Sequence, residues 1–411
     1  MTHSIPWWRE VGRREWTVLA AAGVGWALDA FDVMLYAFAL GAIRDEFSLG
    51  GARAGALASV TLLAAAVGGV AAGAIADRVG RARVLVISVL IYSVSTGLTA
   101  TAGSVGALIF WRALVGIGLG AEWTAGSVLV AETWPAAHRG KAIGLMQSGW
   151  AIGYLLAAGV AAVVLPTLGW RALFLVGIVP ALFAWWIRRN VAEPEIWRTR
   201  RAAGASAANS LRRIFRPPLV GRTITATLLA TTLLFAYWGL FTWLPTFLAA
   251  PIERGGAGLG IVRSAAWIVP IQIGAFFGYT TFGALADRFG RRGTFIAFVL
   301  AAAVVVPVYG LGARSNATLI VAGPLVGFFG HGYFSVFGAL LSELFPSDVR
   351  ATAQGFCYNA GRAASAAAPL AIGAVADRVG FGTALALTSL FYVLGSLLML
   401  PLPETKGGAL E

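Results

Sequence analysis

The sequence predicts an all-α membrane protein with twelve transmembrane helices arranged in two six-helix bundles, and three observations support this. Of its 411 residues 58% are hydrophobic and 12% charged, unlike a soluble domain. Apolar runs of about twenty residues, enough to cross a hydrocarbon core of about 30 Å, alternate with short arginine-bearing loops. The loops of the first half of the chain recur in the second half.

The twelve apolar runs are expected to be helices. In lipid every backbone N–H and C=O must be satisfied within the protein, and the runs lack the two-residue alternation of membrane barrel strands. The first run follows WWREVGRREW and is too long for a signal-peptide core, so it should remain as the first span. The runs cover residues 16–40, 54–76, 84–103, 106–130, 141–164, 170–190, 222–248, 264–286, 294–313, 318–342, 352–376 and 381–402.

The net charge is +13. The positions of the basic residues along the chain indicate membrane topology rather than nucleic-acid binding. With both termini in the cytoplasm, 22 of the 31 Lys and Arg residues fall on the cytoplasmic side and seven in the opposite loops, as the positive-inside rule requires. We therefore expect a multi-pass protein of the cell inner membrane. The single cysteine, Cys357, has no internal disulfide partner.

Two halves of the chain repeat one layout. GAIADRVGRAR at 73–83 recurs as GALADRFGRRG at 283–293, 210 residues later, and the motif that begins at Glu132 recurs at Glu343, 211 residues later. Parallel six-helix repeats suit a carrier that moves a central site between two faces. The predicted domains are an N-terminal bundle (1–187), a cytoplasmic linker rich in arginine (188–221) and a C-terminal bundle (222–411).

The doubled D-R-x-G-R loops, the R-x-x-x-G-x-G-x-G run at 112–120 and the paired E-x-x-P-x-x-x-R loops resemble the major facilitator superfamily over essentially the whole chain. A further GAVADRVG at 373–380 lacks the following basic residues and is interpreted as a coincidental loop. The resemblance implies a monomeric transporter with a cytoplasmic gate of ion pairs; the alternative is a set of surface salt bridges of little energetic weight. The gate residues would be Asp77, Arg81, Glu132, Arg139, Asp287, Arg291, Glu343 and Arg350.

Four ionisable residues within the predicted spans are candidates for proton coupling. A charge near the bilayer centre costs about 2.5–3.5 kcal/mol or more, so it suggests function. Asp29 and Asp32 share a face of the first span, where neighbouring carboxylates favour binding a proton; the alternative is a structural pair satisfied by backbone or arginine partners. Glu122 lies at mid-depth in span four. The resemblance associates proton coupling with an arginine at the position of Arg112, which could instead be a polar anchor.

Candidate substrate-binding residues begin with Arg362, which shares a helix face with Tyr358. A guanidinium at mid-depth can bind a carboxylate through paired hydrogen bonds, or it can form a permanent ion pair with an acidic residue. His331 could titrate or be a neutral helix contact. Arg112 is also a candidate ligand. Weaker candidates, which bundle packing would explain almost as well, are Tyr36, Gln147, Tyr154, Tyr237 and Gln272.

Within the superfamily, residues 121–158 and 169–197 are similar to proton symporters of organic acids, in the group of sialic acid and monocarboxylate permeases. The D-A-F-D of span one also resembles the D-G-F-D of aromatic acid symporters, with Ala30 in place of glycine. We therefore expect proton-coupled uptake of a small organic anion, with protons as the coupling ion and no other cofactor.

The sequence disfavours three alternatives to symport. Proton-coupled efflux antiporters carry a glycine–proline motif in span five, whereas GLMQSGWAIGYLLAAG has Trp150 and Ala151 in its proline region. A membrane sensor on this scaffold would be expected to carry a soluble output domain. An enzyme is disfavoured because no nucleophile–base pair or metal-ligand cluster is visible. The expected partners are an organic anion and the lipid bilayer, with no nucleic acid.

Overall fold

The structure is a computed structural model that describes residues 10–135, 138–192, 208–312, 315–346 and 349–405, in some helical positions by backbone alone. The described residues form helices and no strands. The predicted linker contains one short helix, and its residues 193–207 lie outside the described part. The helices are α1 (Arg13–Glu46), α2 (Gly51–Val79), α3 (Arg81–Thr99), α4 (Val105–Thr133), α5 (Arg139–Val176), α6 (Pro180–Asn190), α7 (Ala208–Ile214), α8 (Leu219–Ala249), α9 (Gly260–Phe289), α10 (Arg291–Gly312), α11 (Asn316–Gly332), α12 (Phe334–Glu343), α13 (Arg350–Ser365), α14 (Ala367–Val379), α15 (Phe381–Leu387) and α16 (Ser389–Met399).

The helices follow the predicted apolar runs, with local interruptions. Within α5, Gly169 has φ 78° and ψ 178°, a conformation outside the right-handed helix that favours glycine, and it divides the two runs predicted at 141–164 and 170–190. Tyr333, Ala366 and Thr388 keep φ near −60° and ψ near −20°. Because these angles are those of a tightened helical turn, α12, α14 and α16 follow the preceding helix without a reversal. Counted over the described residues, nine helices are long and apolar enough to cross a membrane.

Glycines bring neighbouring helices into backbone contact, and the glycine run of span four supplies two of them. A Cβ on Gly116 would overlap the carbonyl oxygen of Thr61, and one on Gly120 would overlap that of Ala65. Small residues at such positions let two helix backbones approach closely. The second half repeats the arrangement between α9 and α11, where a Cβ on Gly327 would overlap the carbonyl oxygen of Ile271.

Local features of the two halves recur at the offsets found in the sequence. Ser104 caps α4 by accepting a hydrogen bond from the Ala107 N–H at 3.2 Å, and Ser315 caps α11 by accepting one from the Thr318 N–H at 3.1 Å. Gly80 and Gly290, which end α2 and α9, share positive φ values of 117° and 98°. The repeated sequence therefore has a repeated local structure.

The two halves meet at one end of the bundle, which we call the Asp377 end. The Asp377 carboxylate, on α14, accepts a hydrogen bond from the Gly51 N–H at 2.6 Å and one from Arg44 at 3.3 Å. Backbone contacts adjoin this group, because a Cβ on Gly55 would overlap the carbonyl oxygen of Pro369. The first turn of α2 is thus joined to α14 by both polar and backbone contacts.

The opposite end carries the predicted gate residues, of which two have described side chains. Arg291 and Glu343 form an ion pair at 3.8 Å, and Glu343 also accepts a hydrogen bond from the Thr405 hydroxyl at 2.5 Å. The predicted proximity of Arg291 and Glu343 is therefore seen. The side chains of the other predicted gate residues lie outside the described part of the chain: Asp77, Arg81, Glu132, Arg139, Asp287 and Arg350.

Candidate substrate site

Asp29 and Asp32 are both buried on α1, with 2% and 0% of their surfaces exposed. Their spacing of three residues places them on one side of the helix. They nevertheless face different partners on α4, because Asp32 lies beside Arg112 whereas Asp29 lies beside Glu122. The two aspartates therefore belong to separate charge clusters.

The first cluster is an ion pair between Asp32 and Arg112. Their closest atoms, Oδ2 and Nη1, are 3.9 Å apart, and neither atom has a hydrogen-bond partner among the described residues. The Arg112 Nε donates to the Thr61 hydroxyl at 3.2 Å, and the guanidinium carbon lies 4.7 Å from the ring centroid of Tyr36. Arg112 is thus held in place while part of its donor capacity stays unused.

The second cluster joins the carboxyl groups of Asp29 and Glu122. Gly25 makes room for Glu122, since a Cβ at that position would overlap its Oε1. Neither oxygen of Glu122, nor Oδ1 of Asp29, has a donor within hydrogen-bonding geometry in the described part of the chain. Two adjacent buried carboxylates cannot both remain ionised at low cost. A shared proton would satisfy both groups.

Arg362, on α13, is a cation that acts electrostatically on Asp29 of the second cluster. It is 5% exposed, and its Nε has no hydrogen-bond partner among the residues described. Its guanidinium carbon lies 5.0 Å from the ring centroid of Tyr358, which stacks on Trp123 at 4.2 Å. The aromatic stack thus positions a buried cation whose Nε donor is unused.

A cavity lies between the two halves and is lined by residues of both. Helices α1, α2, α4 and α5 of the first half and α8, α9, α12 and α13 of the second contribute to its wall. The following predicted site residues line the cavity: Asp29, Tyr36, Arg112, Gln147, Tyr237, Tyr358 and Arg362.

Five further predicted residues are buried but are not part of the cavity wall. Asp32 and Glu122 contact the wall residues Arg112 and Asp29. His331 contacts the Tyr237 hydroxyl. Tyr154 packs with its ring centroid 6.0 Å from that of Phe38. The remaining residue is Gln272, whose amide has no hydrogen-bond partner among the described residues.

Sequence reasoning did not assign the tryptophans of the cavity wall to the site. Trp26 and Trp150 approach to 4.7 Å between ring centroids, and Trp238 contacts Trp150 at 5.9 Å. Tyr279 contributes from α9. The available signal was the large number of tryptophans, 15 in all, but tryptophan is also common in helix packing and at membrane interfaces, so their number alone does not identify a binding site.

The role of Asp377 is also not predicted by the sequence, because its GAVADRVG segment resembles a coincidental loop. The aspartate of this segment joins α14 to α2 across the two halves. The sequence signal was the copy of the loop motif itself, which places an aspartate near the end of a helix. The lack of following basic residues correctly distinguishes it from the other two loops, but it gave no reason to expect a contact.

The protein-family model described as the Major Facilitator Superfamily matches residues 22–280 and 257–411 of the chain. The chain belongs to the major facilitator superfamily. The family resemblance predicted from the loop motifs is thereby confirmed. This superfamily member is a multi-pass integral membrane protein of the cell membrane, and it is a transporter rather than an enzyme.

Relatives of this superfamily member carry names of organic-acid transporters. It is 35% identical over 413 residues to a protein of Cupriavidus pinatubonensis named "Probable 4-methylmuconolactone transporter". The alignment covers 98% of this chain and 94% of the relative. It is 32% identical over 385 residues to the "Cis,cis-muconate transport protein" of Acinetobacter baylyi, with 90% of each covered. The sialic acid transporter NanX of Escherichia coli is 26% identical over 380 residues, with 92% of each covered.

Solved structures show the same fold. The xylose transporter XylE from E. coli in an inward open conformation superimposes with a TM-score of 0.77 at 20% identity, covering 96% of this chain and 98% of that one. At this identity the likeness concerns the fold alone. It agrees with the all-helical, repeated arrangement of the superfamily member described above.

Proposed function

We propose that the protein imports a small organic carboxylate together with protons by alternating access. The observation that carries this proposal is Arg362, a buried cation on the cavity wall whose Nε has no partner among the described residues. A guanidinium binds a carboxylate through two parallel hydrogen bonds. Relatives named for muconate and sialic acid, both organic acids, support this substrate class.

The charges around the cavity suggest how the protons are coupled. Three carboxyl groups, Asp29, Asp32 and Glu122, face two guanidinium groups, Arg112 and Arg362. Asp32 balances Arg112. Arg362 balances the second cluster when Asp29 and Glu122 share one proton. A substrate carboxylate on Arg362 adds one negative charge, so the loaded site becomes neutral when one further proton binds the cluster.

This charge balance gives the proposed transport cycle. The substrate and Asp29 compete for Arg362, and a proton on the cluster releases the guanidinium to the substrate. The loaded, neutral carrier changes conformation, and the empty carrier returns with its shared proton. A ligand shifts such an equilibrium only by its difference in affinity for the two states. One proton then accompanies each monocarboxylate, and the transport is electroneutral.

The proposed architecture has twelve membrane spans, with α5 forming one span before Gly169 and another with α6 after it. Each pair α11–α12, α13–α14 and α15–α16 then forms one span, and the short α7 belongs to the cytoplasmic linker. We place both termini in the cytoplasm, so that the Asp377 end faces outward. The carrier is proposed to act as a monomer in the lipid bilayer, with protons as coupling ions.

Uptake into proteoliposomes tests the direction and the coupling. Under an imposed inward proton gradient, we expect labelled sialic acid, or another small carboxylate that does not enter protein-free liposomes, to accumulate, and a protonophore to abolish the accumulation. A potassium diffusion potential imposed with valinomycin should leave the rate unchanged. Expulsion of cationic dyes without accumulation of any carboxylate would instead indicate an efflux antiporter.

Variants of Arg362 test the carboxylate site. Arg362→Lys keeps the charge but loses the planar pair of donors, and Arg362→Gln loses both. Hydrogen bonds to charged groups contribute about 1.5–3 kcal/mol, so we expect the affinity of the glutamine variant for carboxylates to fall about tenfold or more, with the lysine variant between it and the wild type. Arg254→Gln, an exposed arginine at the Asp377 end, is the matched control. Wild-type affinity in Arg362→Gln would reject the proposed site.

A further inference from the structure

The short helix α7 is held against the neighbouring spans. Ile214, its last residue, is fully buried, and the Ile214 carbonyl oxygen accepts a hydrogen bond from the Thr223 hydroxyl of α8 at 2.8 Å. The ring of Phe215, which follows α7, makes an edge-on contact with the ring of Phe356 on α13, with centroids 5.0 Å apart. The helix therefore has a fixed position beside the first turns of α8 and α13.

The first turn of α8 reaches the lipid headgroups. The helix has 31 residues, and at 1.5 Å per residue it is about 46 Å long. A bilayer is about 40–45 Å thick when its headgroup layers are included, so a helix of this length crosses both layers. In the first turn, Arg222 donates to the carbonyl oxygen of Leu344 at 3.1 Å, next to the predicted gate residue Glu343. Because α7 adjoins this turn, it lies at the headgroup layer of the gate end.

The surface of α7 and of the turn after it combines apolar and cationic side chains. Leu211 and Phe215, four residues apart, are 47% and 44% exposed. Arg212 and Arg216, each one residue further along the chain, are also exposed. From residue 196 to residue 252 the chain contains no Asp or Glu, so no acidic neighbour in the sequence balances these arginines. Exposed leucine and phenylalanine beside arginine are typical of a helix that lies in a membrane interface.

We propose that this surface binds an anionic phospholipid, with Leu211 and Phe215 at the acyl-chain boundary and Arg212 and Arg216 on the headgroup. A guanidinium binds a phosphate through two parallel hydrogen bonds. A zwitterionic lipid offers the same phosphate, but its amine carries a compensating positive charge, so two arginines favour a lipid of net negative charge. A soluble phosphate would leave the two apolar side chains in water, whereas a lipid covers them.

Quenching of a fluorophore beside α7 tests this lipid site in the full chain. Because Cys357 is the one native cysteine, Gly221→Cys in a Cys357→Ala background gives a single labelling position, where an added side chain meets open space. The bimane-labelled protein is placed in phosphatidylcholine vesicles that contain equal small fractions of phosphatidylglycerol or phosphatidylcholine with a spin label near the headgroup. Each basic residue near an anionic surface contributes about fivefold in affinity, so we expect phosphatidylglycerol to be enriched at the fluorophore about tenfold.

Matched variants locate the lipid preference at α7. In Arg212→Gln/Arg216→Gln the enrichment of phosphatidylglycerol over phosphatidylcholine should fall to about one. Arg254→Gln/Arg263→Gln removes the same charge from exposed positions at the Asp377 end and should keep the wild-type enrichment. Leu211→Ser should weaken the quenching by both lipids, because less apolar surface enters the bilayer, and it should leave the enrichment unchanged.

Three outcomes would count against the lipid site. Equal quenching by the two lipids in the wild type would overturn the preference for an anionic headgroup. Absence of quenching by either lipid would show that α7 does not lie at the membrane surface and would overturn the whole inference. Wild-type enrichment in Arg212→Gln/Arg216→Gln would overturn the role given to these arginines. The carboxylate site is tested separately, because no described side chain of α7 belongs to the cavity wall.

Discussion

Replacing Asp377 by asparagine should favour opening of the Asp377 end. The carboxylate holds α14 to α2 through the Gly51 N–H at 2.6 Å and Arg44 at 3.3 Å. Asparagine keeps the shape and one acceptor oxygen but removes the charge. The closed arrangement therefore loses stability, whereas an open arrangement, in which these groups are apart and hydrated, is little affected.

The magnitude follows from the two contacts. A hydrogen bond to a charged group contributes about 1.5–3 kcal/mol, of which a neutral acceptor retains about 1 kcal/mol. The ion pair adds about 0–1 kcal/mol, because the Asp377 side chain is 40% exposed and that of Arg44 is 19% exposed. Together these ranges give a loss of about 0.5–3 kcal/mol, and their middle, about 1–2 kcal/mol, increases the open population about five- to thirtyfold relative to the closed one.

Cysteine labelling measures this population, because the chain has one native cysteine, the buried Cys357. In a Cys357→Ala background, Ala58→Cys places a thiol on the cavity wall, on α2. A slowly reacting, membrane-impermeant maleimide added on the side of the Asp377 end should label this thiol about five- to thirtyfold faster in Asp377→Asn, because the labelling rate follows the open population when opening and closing are fast relative to labelling.

Glu46→Gln supplies the matched control. Glu46 also lies at the Asp377 end, where it accepts hydrogen bonds from Arg171 at 2.6 and 2.8 Å and from Trp170 at 2.6 Å. Both partners belong to the same half of the chain as Glu46, so its loss should not change the labelling rate. Equal labelling of the wild type and Asp377→Asn would refute the role of Asp377 in closure, and equal acceleration by both variants would show a general effect of lost charge.

Three further predictions concern packing and buried charge. Gly120→Ala forces a methyl group against the Ala65 carbonyl and should cost about 1–3 kcal/mol of stability. The measurement is a lower thermal transition temperature in detergent. Gly221→Ala, where the added methyl group meets open space, should be neutral. Asp32→Asn leaves the Arg112 guanidinium buried without its counter-ion and should cost about 3–5 kcal/mol; adding Arg112→Gln should recover much of this loss. Glu122→Gln should abolish gradient-driven accumulation while substrate exchange continues, and unchanged accumulation would remove Glu122 from proton coupling.

The sequence predicts the helices and their close contacts well, because these depend on local patterns. The glycines at 116 and 120 predict an approaching helix, and the structure supplies α2. The short list of buried charges was equally visible, since ionisable residues stand out in apolar runs. A pairing of one aspartate with an arginine was among the alternatives, and Asp32 with Arg112 matches it.

The partners of these residues could not be predicted, because they depend on the rotation and position of distant helices. Asp29 and Asp32 share one side of α1, yet a small difference in direction places them against different residues of α4. Tyr237 and His331 are 94 residues apart, and Gly51 and Asp377 are 326 apart. Long apolar helices also carry little periodic signal, because lipid and protein accept the same side chains.

The glycine contacts between α2 and α14 affect how easily the halves can separate. Cβ atoms on Gly51 and Gly55 would overlap the carbonyl oxygens of Gly373 and Pro369, so the facing surfaces there consist largely of peptide groups. When such surfaces separate, water can hydrate the exposed carbonyls, and little apolar surface becomes exposed to water. An interlocking layer of leucine and phenylalanine would instead expose apolar surface at about 25 cal/mol per Å². The absence of side chains at these glycines therefore explains both why α2 and α14 pack so closely and why their contact surface can be hydrated at low cost.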